Sequence, residues 1–224
     1  MRIVFYAISY IALPFSLTIF SNNTMSSQSN IQPISLGTEQ KMRLYTWKPS
    51  CPISLSDLRE VYVPFWGFDN KKHRGVLIVN KELAEEVVDI FTAIYEAKFP
   101  ISRMEMIEEY KGNDEKSMAA NNTSSFNCRE RTSKRGEYSQ HSYGRAIDIN
   151  PLLNPYVSQN GVLPVEALQY ANRRQNFPGK IDKKSIVYKV FTQYGWDWGG
   201  NWHNLKDYQH FEKRANNKKR NPYG

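Results

Sequence analysis

Cysteine is scarce in this chain, with two residues, Cys51 and Cys128, in a length of 224. Neither has a second cysteine nearby in the sequence, which disfavours a zinc site built from thiolates. In an oxidising compartment such a pair can form a disulfide, and we expect one here. Two buried free thiols are the alternative, because sequence spacing does not give the distance between the two Cα atoms.

Long apolar runs are absent after the first twenty residues, so no later stretch is expected to cross a membrane. Residues 1–22 combine an early arginine with an apolar run and a polar exit, which predicts a secretory signal peptide. An uncleaved N-terminal anchor is the alternative, since the run is close to the length that spans a bilayer. We expect a polar linker over 23–44, a folded domain over 45–212 and a basic tail over 213–224, in a periplasmic or secreted protein.

Acidic residues are outnumbered, since 22 of them stand against 30 lysines and arginines, giving a net charge of +8 and a pI near 9.3. Such a balance favours an anionic partner, and a cell-wall polymer, a phospholipid surface or a nucleic acid would qualify. Much of the excess lies in residues 213–224, which we expect to be solvated and mobile. A nucleic-acid-binding surface would interleave aromatic with basic residues, but the aromatic residues cluster within 195–212. We therefore expect no nucleic-acid partner, and membrane contact only through the N-terminal segment.

Apolar periodicity predicts the main elements of the fold. Residues 76–79, VLIV, are typical of a strand, and Asn80 is placed to cap a helix over 81–99. A second helix is predicted over 185–194, and a weaker helical pattern covers 165–174. Short strands interleaved irregularly with helices favour the α+β class over a regular parallel wound sheet.

The segment SQHSYGRAID, residues 139–148, places His141 and Asp148 on either side of Gly144, which permits a sharp turn. Alternation along the strand RAIDIN sends its two isoleucines to one face and Asp148 to the other. A buried carboxylate in a strand needs a partner, and a metal ion would be one. A catalytic zinc site takes three protein ligands, so this pair requires a third.

The segment GWDWGGNWHNLKDYQHFE offers that third ligand as His210. Asp207 and His210 would face opposite ways on a regular strand, so a turn or bulge around Tyr208 is required if both reach one metal. Asp207 would then be free to act as general base toward a metal-bound water. His203 is an alternative ligand without an accompanying base, and His73, among basic residues, is expected to be exposed.

These motifs resemble a known family. SQHSYGRAID is similar, at every fixed position, to the Ser-x-His-x-x-Gly-x-Ala-x-Asp signature of zinc D-alanyl-D-alanine carboxypeptidases and L-alanyl-D-glutamate endopeptidases, and DYQHFE is similar to the ending of the endopeptidase-like branch. The resemblance covers roughly residues 45–212 and looks like an exported subgroup. It implies a small α+β domain with an antiparallel sheet and flanking helices. It also implies a Zn²⁺ ion held by His141, Asp148 and His210, with Asp207 activating the water.

The resemblance also implies a role for Arg129, which would polarise the scissile carbonyl or bind a substrate carboxylate. A fixed cation beside the metal has that chemical sense independently, because it stabilises a developing oxyanion. The alternative is that Arg129 is one member of a solvated basic loop with Arg131, Lys134 and Arg135. A bridge between Cys51 and Cys128 would fix the loop that presents Arg129.

The sequence therefore predicts an exported zinc peptidase, expected to be a monomer, that hydrolyses peptidoglycan stem peptides as a carboxypeptidase or an endopeptidase. Asp207 stands where the carboxypeptidase branch has glutamate, which favours the endopeptidase-like branch. A non-catalytic zinc-containing module for cell-wall binding or signalling is the alternative, and the presence of Asp207 argues against it. Taken alone, His141 would better fit an ordinary surface histidine and Asp148 an edge-strand residue, and it is their combination within one motif that favours a metal site.

Overall fold

The protein is described by a computed structural model that covers Met1, residues 29–131, residues 134–221 and Tyr223. The predicted signal segment over 1–22, apart from Met1, and residues 23–28 of the predicted linker lie outside the described residues. Within the described ranges, every helix is too short or too polar to span a bilayer.

The described residues form short strands and four α-helices. The strands are β1 (Asn30–Pro33), β2 (Leu58–Trp66), β3 (Lys72–Asn80), β4 (Arg103–Met104), β5 (Asn122–Thr123), β6 (Glu130–Arg131), β7 (Lys134–Tyr138), β8 (Ala146–Asp148), β9 (Tyr156–Ser158), β10 (Gly161–Leu163), β11 (Asp197–Trp198), β12 (Lys206–Asp207) and β13 (His210–Glu212). The helices are α1 (Leu36–Tyr45), α2 (Ala84–Glu96), α3 (Asp114–Ala119) and α4 (Ile186–Gln193).

The longest pairing is the antiparallel hairpin of β2 and β3, which runs in register from Leu58 opposite Asn80 to Trp66 opposite Lys72. The predicted strand at 76–79 is confirmed as part of β3. The side chain of Asn80 accepts a hydrogen bond from the Glu82 amide at 3.0 Å, and one 3-10 turn then leads into α2. The predicted cap is therefore confirmed, with the helix ending three residues earlier than expected.

Three further features complete the comparison with the predicted elements. The second predicted helix is confirmed as α4, whose N-terminal amide at Tyr188 is capped by the Ser185 hydroxyl. The weaker helical pattern predicted over 165–174 forms a 3-10 helix over Val165–Ala171 instead of an α-helix. The predicted α+β class with small antiparallel sheets is confirmed, although the strands are distributed over three-stranded sheets β1-β2-β3, β10-β9-β12 and β11-β13-β8 and two strand pairs.

The hydrophobic core joins elements from the first and second halves of the chain. Side chains of β2, β3 and α2 pack in one cluster with α4, Ile147, Ile149 and Phe211. Phe191 on α4 stacks on Phe211 at 4.3 Å between ring centroids and meets Phe91 of α2 edge to face. Burying each such side chain contributes about 1.5–3 kcal/mol, so the short strands β8 and β13 are anchored by their core-facing residues.

The folded part begins upstream of the boundary predicted at residue 45. β1 pairs with β2, and the Ser35 side chain caps α1, so the prediction of a linker over 23–44 is wrong from residue 30 onward. The polar residues of this segment have partners in the fold. Gln32 and the Ser35 amide donate hydrogen bonds to the buried carboxylate of Glu60 at 2.8 and 2.7 Å.

The basic tail is tethered rather than free. Lys213 forms an ion pair with Glu86 at 2.6 Å, and Lys219 forms one with Asp197 at 2.9 Å. The guanidinium of Arg220 lies over the ring of Trp202, 3.7 Å from its centroid. Residues 215–219 are exposed, as predicted for a solvated segment, whereas Lys213 and Arg220 are partly buried against the rest of the protein. The mobility of the tail stays a prediction.

The predicted disulfide between Cys51 and Cys128 is confirmed, with Cα atoms 6.0 Å apart across 77 residues of sequence. The bridge connects the segment after α1 to the segment that leads into Arg129. The Cys128 amide also donates to the carbonyl of Thr46 at 3.2 Å. The loop that presents Arg129 is thus attached to the N-terminal half at two points.

Candidate metal centre

Two paired strands carry two of the expected ligands. In the β8–β13 register, His210 lies opposite Asp148, Phe211 opposite Ile147 and Glu212 opposite Ala146. Because side chains alternate along a strand, Ile147 and Phe211 enter the core while Asp148, His210 and Glu212 share the other face. The predicted orientation of Asp148 is confirmed, and its carboxylate is buried on the same face as the His210 ring.

His141 is held beside that face by a 3-10 helix over Gln140–Tyr143. The hydroxyl of Ser139 accepts a hydrogen bond from the His141 amide at 3.3 Å at its start, and Gly144 ends it with a φ of 63°. A Cβ at position 144 would lie 2.6 Å from the amide nitrogen of Asn80. Glycine is therefore required at 144 both for the left-handed backbone and for the close approach to β3.

Both imidazole rings are oriented by acceptors on their outer nitrogen atoms. His141 Nδ1–H donates to the backbone carbonyl of Ser125, whose hydroxyl is itself bound to the backbone of Ile78. His210 Nε2–H donates to the carboxylate of Glu212 at 3.0 Å. With those protons fixed outside, His141 Nε2 and His210 Nδ1 both face inward, as in sites where outer acceptors set the tautomer of ligating histidines.

The three inward groups converge on one point. Asp148 Oδ1 lies 2.9 Å from His210 Nδ1, Asp148 Oδ2 lies 3.1 Å from His141 Nε2, and the two histidine nitrogens are 3.2 Å apart. All three residues are buried, and their potential ligand atoms lie within 4.8 Å of one another. This group could hold a metal ion with two nitrogen ligands and one oxygen ligand.

Asp207 reaches the same pocket because the chain turns between β12 and β13. Tyr208 and Gln209 separate the two strands. The Tyr208 amide still donates to the Pro155 carbonyl, in register with β9, whereas the Gln209 carbonyl accepts from the Ile149 amide, in register with β8, so the predicted break is confirmed as a change of partner strand. The backbone of Asp207 passes so close to Gly199 that a Cβ there would lie 2.5 Å from the Asp207 carbonyl oxygen. Glycine at position 199 therefore allows the approach of Asp207.

One oxygen of Asp207, Oδ1, is buried without a hydrogen-bond partner. Burial raises the pKa of Asp207 to about 6, the charge of His210 opposes that rise, and the charge of Asp148 adds to it. Burial alone would raise the pKa of Asp148 as well, but the charges and hydrogen bonds of His141 and His210 lower it. The pKa values of the two carboxylates are therefore shifted in opposite directions, which is the pattern of groups with different chemical roles.

Burial lowers the pKa of His210, but its hydrogen bonds to Asp148 and Glu212 prevail and raise it to about 10. Without a metal ion the ring therefore carries a proton at neutral pH. A metal ion must displace that proton, so metal binding at this site is coupled to proton release.

A cavity of about 50 Å³ lies against these groups, which is room for water molecules. Four arginines, Arg129, Arg131, Arg214 and Arg220, line it together with His141, Asp207, His210, Glu212 and Trp202. Arg129 is fixed through its backbone, because its amide donates to the Ser142 hydroxyl at 2.9 Å and that hydroxyl donates to its carbonyl. Its guanidinium pairs with Asp114 at 2.9 Å, while its Nε is buried without a partner.

The structure places all five residues singled out from the sequence in or beside this cavity: His141 and His210 line it with Asp207 and Arg129, and Asp148 lies between the two histidines. The two other histidines lie elsewhere. His203 is exposed and stacks on Tyr223, and His73 is exposed and pairs with Asp69, as expected for His73.

Sequence reasoning gave no role to Ser125, Glu212 or Arg220, all of which contact the site or line its cavity. For Glu212 a signal was present, since it lies two residues after His210 and must share its strand face. Nothing in the sequence indicates the carbonyl of Ser125 or the return of the tail that brings Arg220 to the cavity.

Comparison with known proteins bears on this part of the chain. Residues 132–213 match the family model described as D-alanyl-D-alanine carboxypeptidase. No curated protein matches the chain, and no solved structure does. The matched stretch contains His141, Asp148, Asp207 and His210, while Arg129 and Arg220 lie outside it. The chain is therefore similar over residues 132–213, somewhat over a third of its length, to the D-alanyl-D-alanine carboxypeptidase family, and this stretch carries the buried group that could hold a metal ion.

Proposed function

We propose that the protein is a zinc-dependent peptidase that hydrolyses peptide bonds in peptidoglycan stem peptides by means of an activated water. The observation that carries the proposal is the unpartnered, buried oxygen of Asp207 in the same cavity as the buried group His141, Asp148 and His210. A structural ion-pair cluster would leave no such oxygen, since an unsatisfied buried acceptor costs about 1–3 kcal/mol.

The donor set fits zinc. Two imidazole nitrogens and one carboxylate oxygen are ligands that zinc accepts in catalytic sites, where the fourth position is left for water. With zinc–ligand bonds near 2.0–2.1 Å, tetrahedral neighbours are about 3.3 Å apart. The two histidine nitrogens are 3.2 Å apart, close to that spacing, and one oxygen of Asp148 lies 2.9 Å from His210 Nδ1 while the other lies 3.1 Å from His141 Nε2. Magnesium and calcium are disfavoured, because both prefer an all-oxygen shell.

The chain's own residues have separate tasks in this proposal. A bound zinc ion would polarise the scissile carbonyl and lower the pKa of its water to about 7. Asp207 accepts the proton of the attacking water, for which a pKa near 6 is suitable, because the group is ionised at neutral pH yet still basic. Arg129 donates hydrogen bonds from its guanidinium to the carbonyl oxygen as negative charge develops there. Asp207 can then return the proton to the leaving amine.

Charge and the disulfide support the proposed substrate and location. The net charge of +8 and the arginine-lined cavity suit a polymer whose peptides carry carboxylates. The Cys51–Cys128 bridge supports a periplasmic or secreted protein, because disulfides persist in oxidising compartments. The same proposal includes export through the segment 1–22 and a monomeric state. It also includes action as either a carboxypeptidase or an L-Ala-D-Glu-type endopeptidase.

The experiment is metal analysis combined with mass spectrometry of muropeptides after incubation with the purified protein. We expect one zinc ion per chain, cleavage of a stem peptide, and loss of both in His141→Ala. His203→Ala is the matched control, since His203 is exposed and remote from the ligand group, and it should keep metal and cleavage. Cleavage that survives in metal-free protein would refute the proposal, and so would intact muropeptides after treatment with zinc-loaded protein.

A further inference from the structure

We propose that Arg220 binds a free carboxylate of the peptide substrate, so that the substrate must carry such a group close to the scissile bond. The inference rests on the proposed function and specifies its substrate class. Arg220 lies beyond the stretch that matches the family model, in the tail that folds back over the tryptophan-rich loop.

Arg220 differs from the other arginines of the cavity in having no carboxylate partner within the described residues. Arg129 pairs with Asp114, Arg131 with Glu137 and Arg214 with Glu212, at distances of 2.6 to 2.9 Å. The guanidinium of Arg220 forms no ion pair or hydrogen bond with any described residue, and its Nε is buried. A buried guanidinium donor without an acceptor is costly, and burial accordingly lowers the pKa of Arg220.

The position of Arg220 is fixed in advance of binding. Its amide donates to Asp197 at 3.3 Å, and the neighbouring Lys219 pairs with the same carboxylate at 2.9 Å. The central guanidinium carbon of Arg220 lies over the Trp202 ring, 3.7 Å from its centroid. Stacking satisfies the face of a guanidinium but leaves its in-plane N–H groups free, and those groups match a carboxylate in geometry and charge.

Trp202 also connects this cation to the metal centre. Its ring lies 5.3 Å from the His210 ring, so a single indole separates Arg220 from a proposed metal ligand. One or two peptide units span such a separation. A substrate whose scissile carbonyl lies near His210 and Arg129 would therefore place a carboxylate of an adjacent residue at Arg220.

Of the four buried side-chain polar atoms without a partner in the described residues, three line this cavity: Arg129 Nε, Asp207 Oδ1 and Arg220 Nε. The fourth belongs to Gln209. Asp207 and Arg129 have tasks in the proposed hydrolysis, whereas Arg220 has none. A second anionic group of the substrate accounts for it.

Equilibrium binding of matched peptides tests the inference without relying on turnover. The probes are the pentapeptide L-Ala-γ-D-Glu-L-Lys-D-Ala-D-Ala and two analogues, one amidated at the α-carboxyl of D-Glu and one at the C-terminus. Affinities are measured by calorimetry on zinc-loaded Asp207→Asn, with and without Arg220→Gln. In the protein that keeps Arg220, we expect one of the two amidations to weaken peptide binding roughly 10- to 100-fold. Arg220→Gln should weaken binding of the unmodified peptide by the same factor. It should not change the affinity for the analogue whose amidation weakens binding.

Lys218→Gln is the matched control, because it removes one positive charge from an exposed position of the same tail. It should leave all three affinities unchanged, and Arg220→Lys should restore part of the loss. Equal effects of Arg220→Gln on acid and amides, or no binding of any peptide, would overturn the inference. A different outcome is that Arg220→Gln weakens binding only of peptides with the free carboxylate, while the wild-type protein leaves muropeptides intact. That outcome would support the inference and refute the proposed hydrolysis.

Discussion

The carboxylates of Glu60 on β2 and Asp207 on β12 differ in how many hydrogen-bond donors surround them. Glu60 accepts hydrogen bonds from Gln32, the Ser35 amide and the Tyr62 hydroxyl, at 2.7 to 2.8 Å. Burial would raise its pKa, but hydrogen bonds from the Ser35 amide and from the side chains of Thr38, Tyr62 and Ser35 lower it to about 2. Asp207 has an enclosed oxygen with no donor, and burial raises its pKa to about 6.

The difference separates a polar group that holds the fold together from one that is kept available. At Glu60, the donors include Gln32 of β1 and the Ser35 amide that follows this strand, and their hydrogen bonds hold the N-terminal segment against β2. Around Asp207, the close approach to Gly199 and the turn before β13 position the carboxylate while leaving it unsatisfied. Such a group is retained against its own cost to stability, which is expected where function requires it.

The largest expected effect is a loss of catalytic activity on substitution of Asp207, which substitution of Glu60 should not cause. Asp207→Asn should lower kcat on a cleaved muropeptide about 10²- to 10⁴-fold, because the amide cannot accept a proton from water. Its zinc content should be unchanged, since the ligand group remains intact. At pH 8 the zinc-free variant should unfold at a higher denaturant concentration than wild type, because a desolvated charge has been removed. Kinetics, metal analysis and denaturant titration measure the three quantities.

Glu60→Gln is the matched variant and should show the reverse pattern, with normal kcat and lowered stability. Full activity in Asp207→Asn would contradict the assignment of a general base.

The second effect is a pH dependence of stability that belongs to Glu60. Its folded-state pKa lies below its ordinary value of 4.5, so its contribution is fully present above about pH 4.5 and is lost as pH falls through about 2. We expect wild type to exceed Glu60→Gln in free energy of unfolding by about 1–3 kcal/mol at pH 6, where the lower figure allows for solvent screening. Denaturant titrations from pH 6 down to pH 2 measure the difference, which should shrink with acidity.

Glu85→Gln, on an exposed turn of α2, controls for loss of a surface carboxylate and should show no such trend. A difference between wild type and Glu60→Gln that stays constant across this range would show that charge at Glu60 is not responsible.

The smallest effect concerns Glu212, whose carboxylate pairs with His210 and Arg214 and lies on the outer side of the proposed metal centre. Glu212→Ala should weaken zinc binding about 10- to 100-fold, because His210 loses the acceptor that orients its ring and fixes its tautomer. Glu212→Gln keeps an acceptor oxygen and should lose less. Competition with a chromophoric chelator measures both affinities.

Glu166→Ala removes an exposed glutamate and should leave zinc affinity unchanged. If Glu212→Ala binds zinc as tightly as wild type, the orienting role of Glu212 is refuted.

Much of the centre could be predicted from local sequence, because its parts are local. The turn at Gly144, the alternation in RAIDIN and the required break at Tyr208 each depend on a few consecutive residues. The α+β class and the helices α2 and α4 followed from periodicity, which reports one apolar face per element. The strand and helix within residues 30–45 could not be predicted, because composition shows that a segment is polar but not which buried partner satisfies its polar groups.

The sequence by itself determined the types and spacing of the candidate ligands and the face on which Asp148 lies, because strand alternation and glycine turns are properties of neighbouring residues. Only the tertiary structure decided that Glu60 is satisfied and Asp207 is not, that Ser125 and Glu212 orient the two histidines, and that Arg220 returns to the cavity. Those outcomes depend on contacts between segments far apart in the chain, and no local pattern encodes which donor reaches which acceptor.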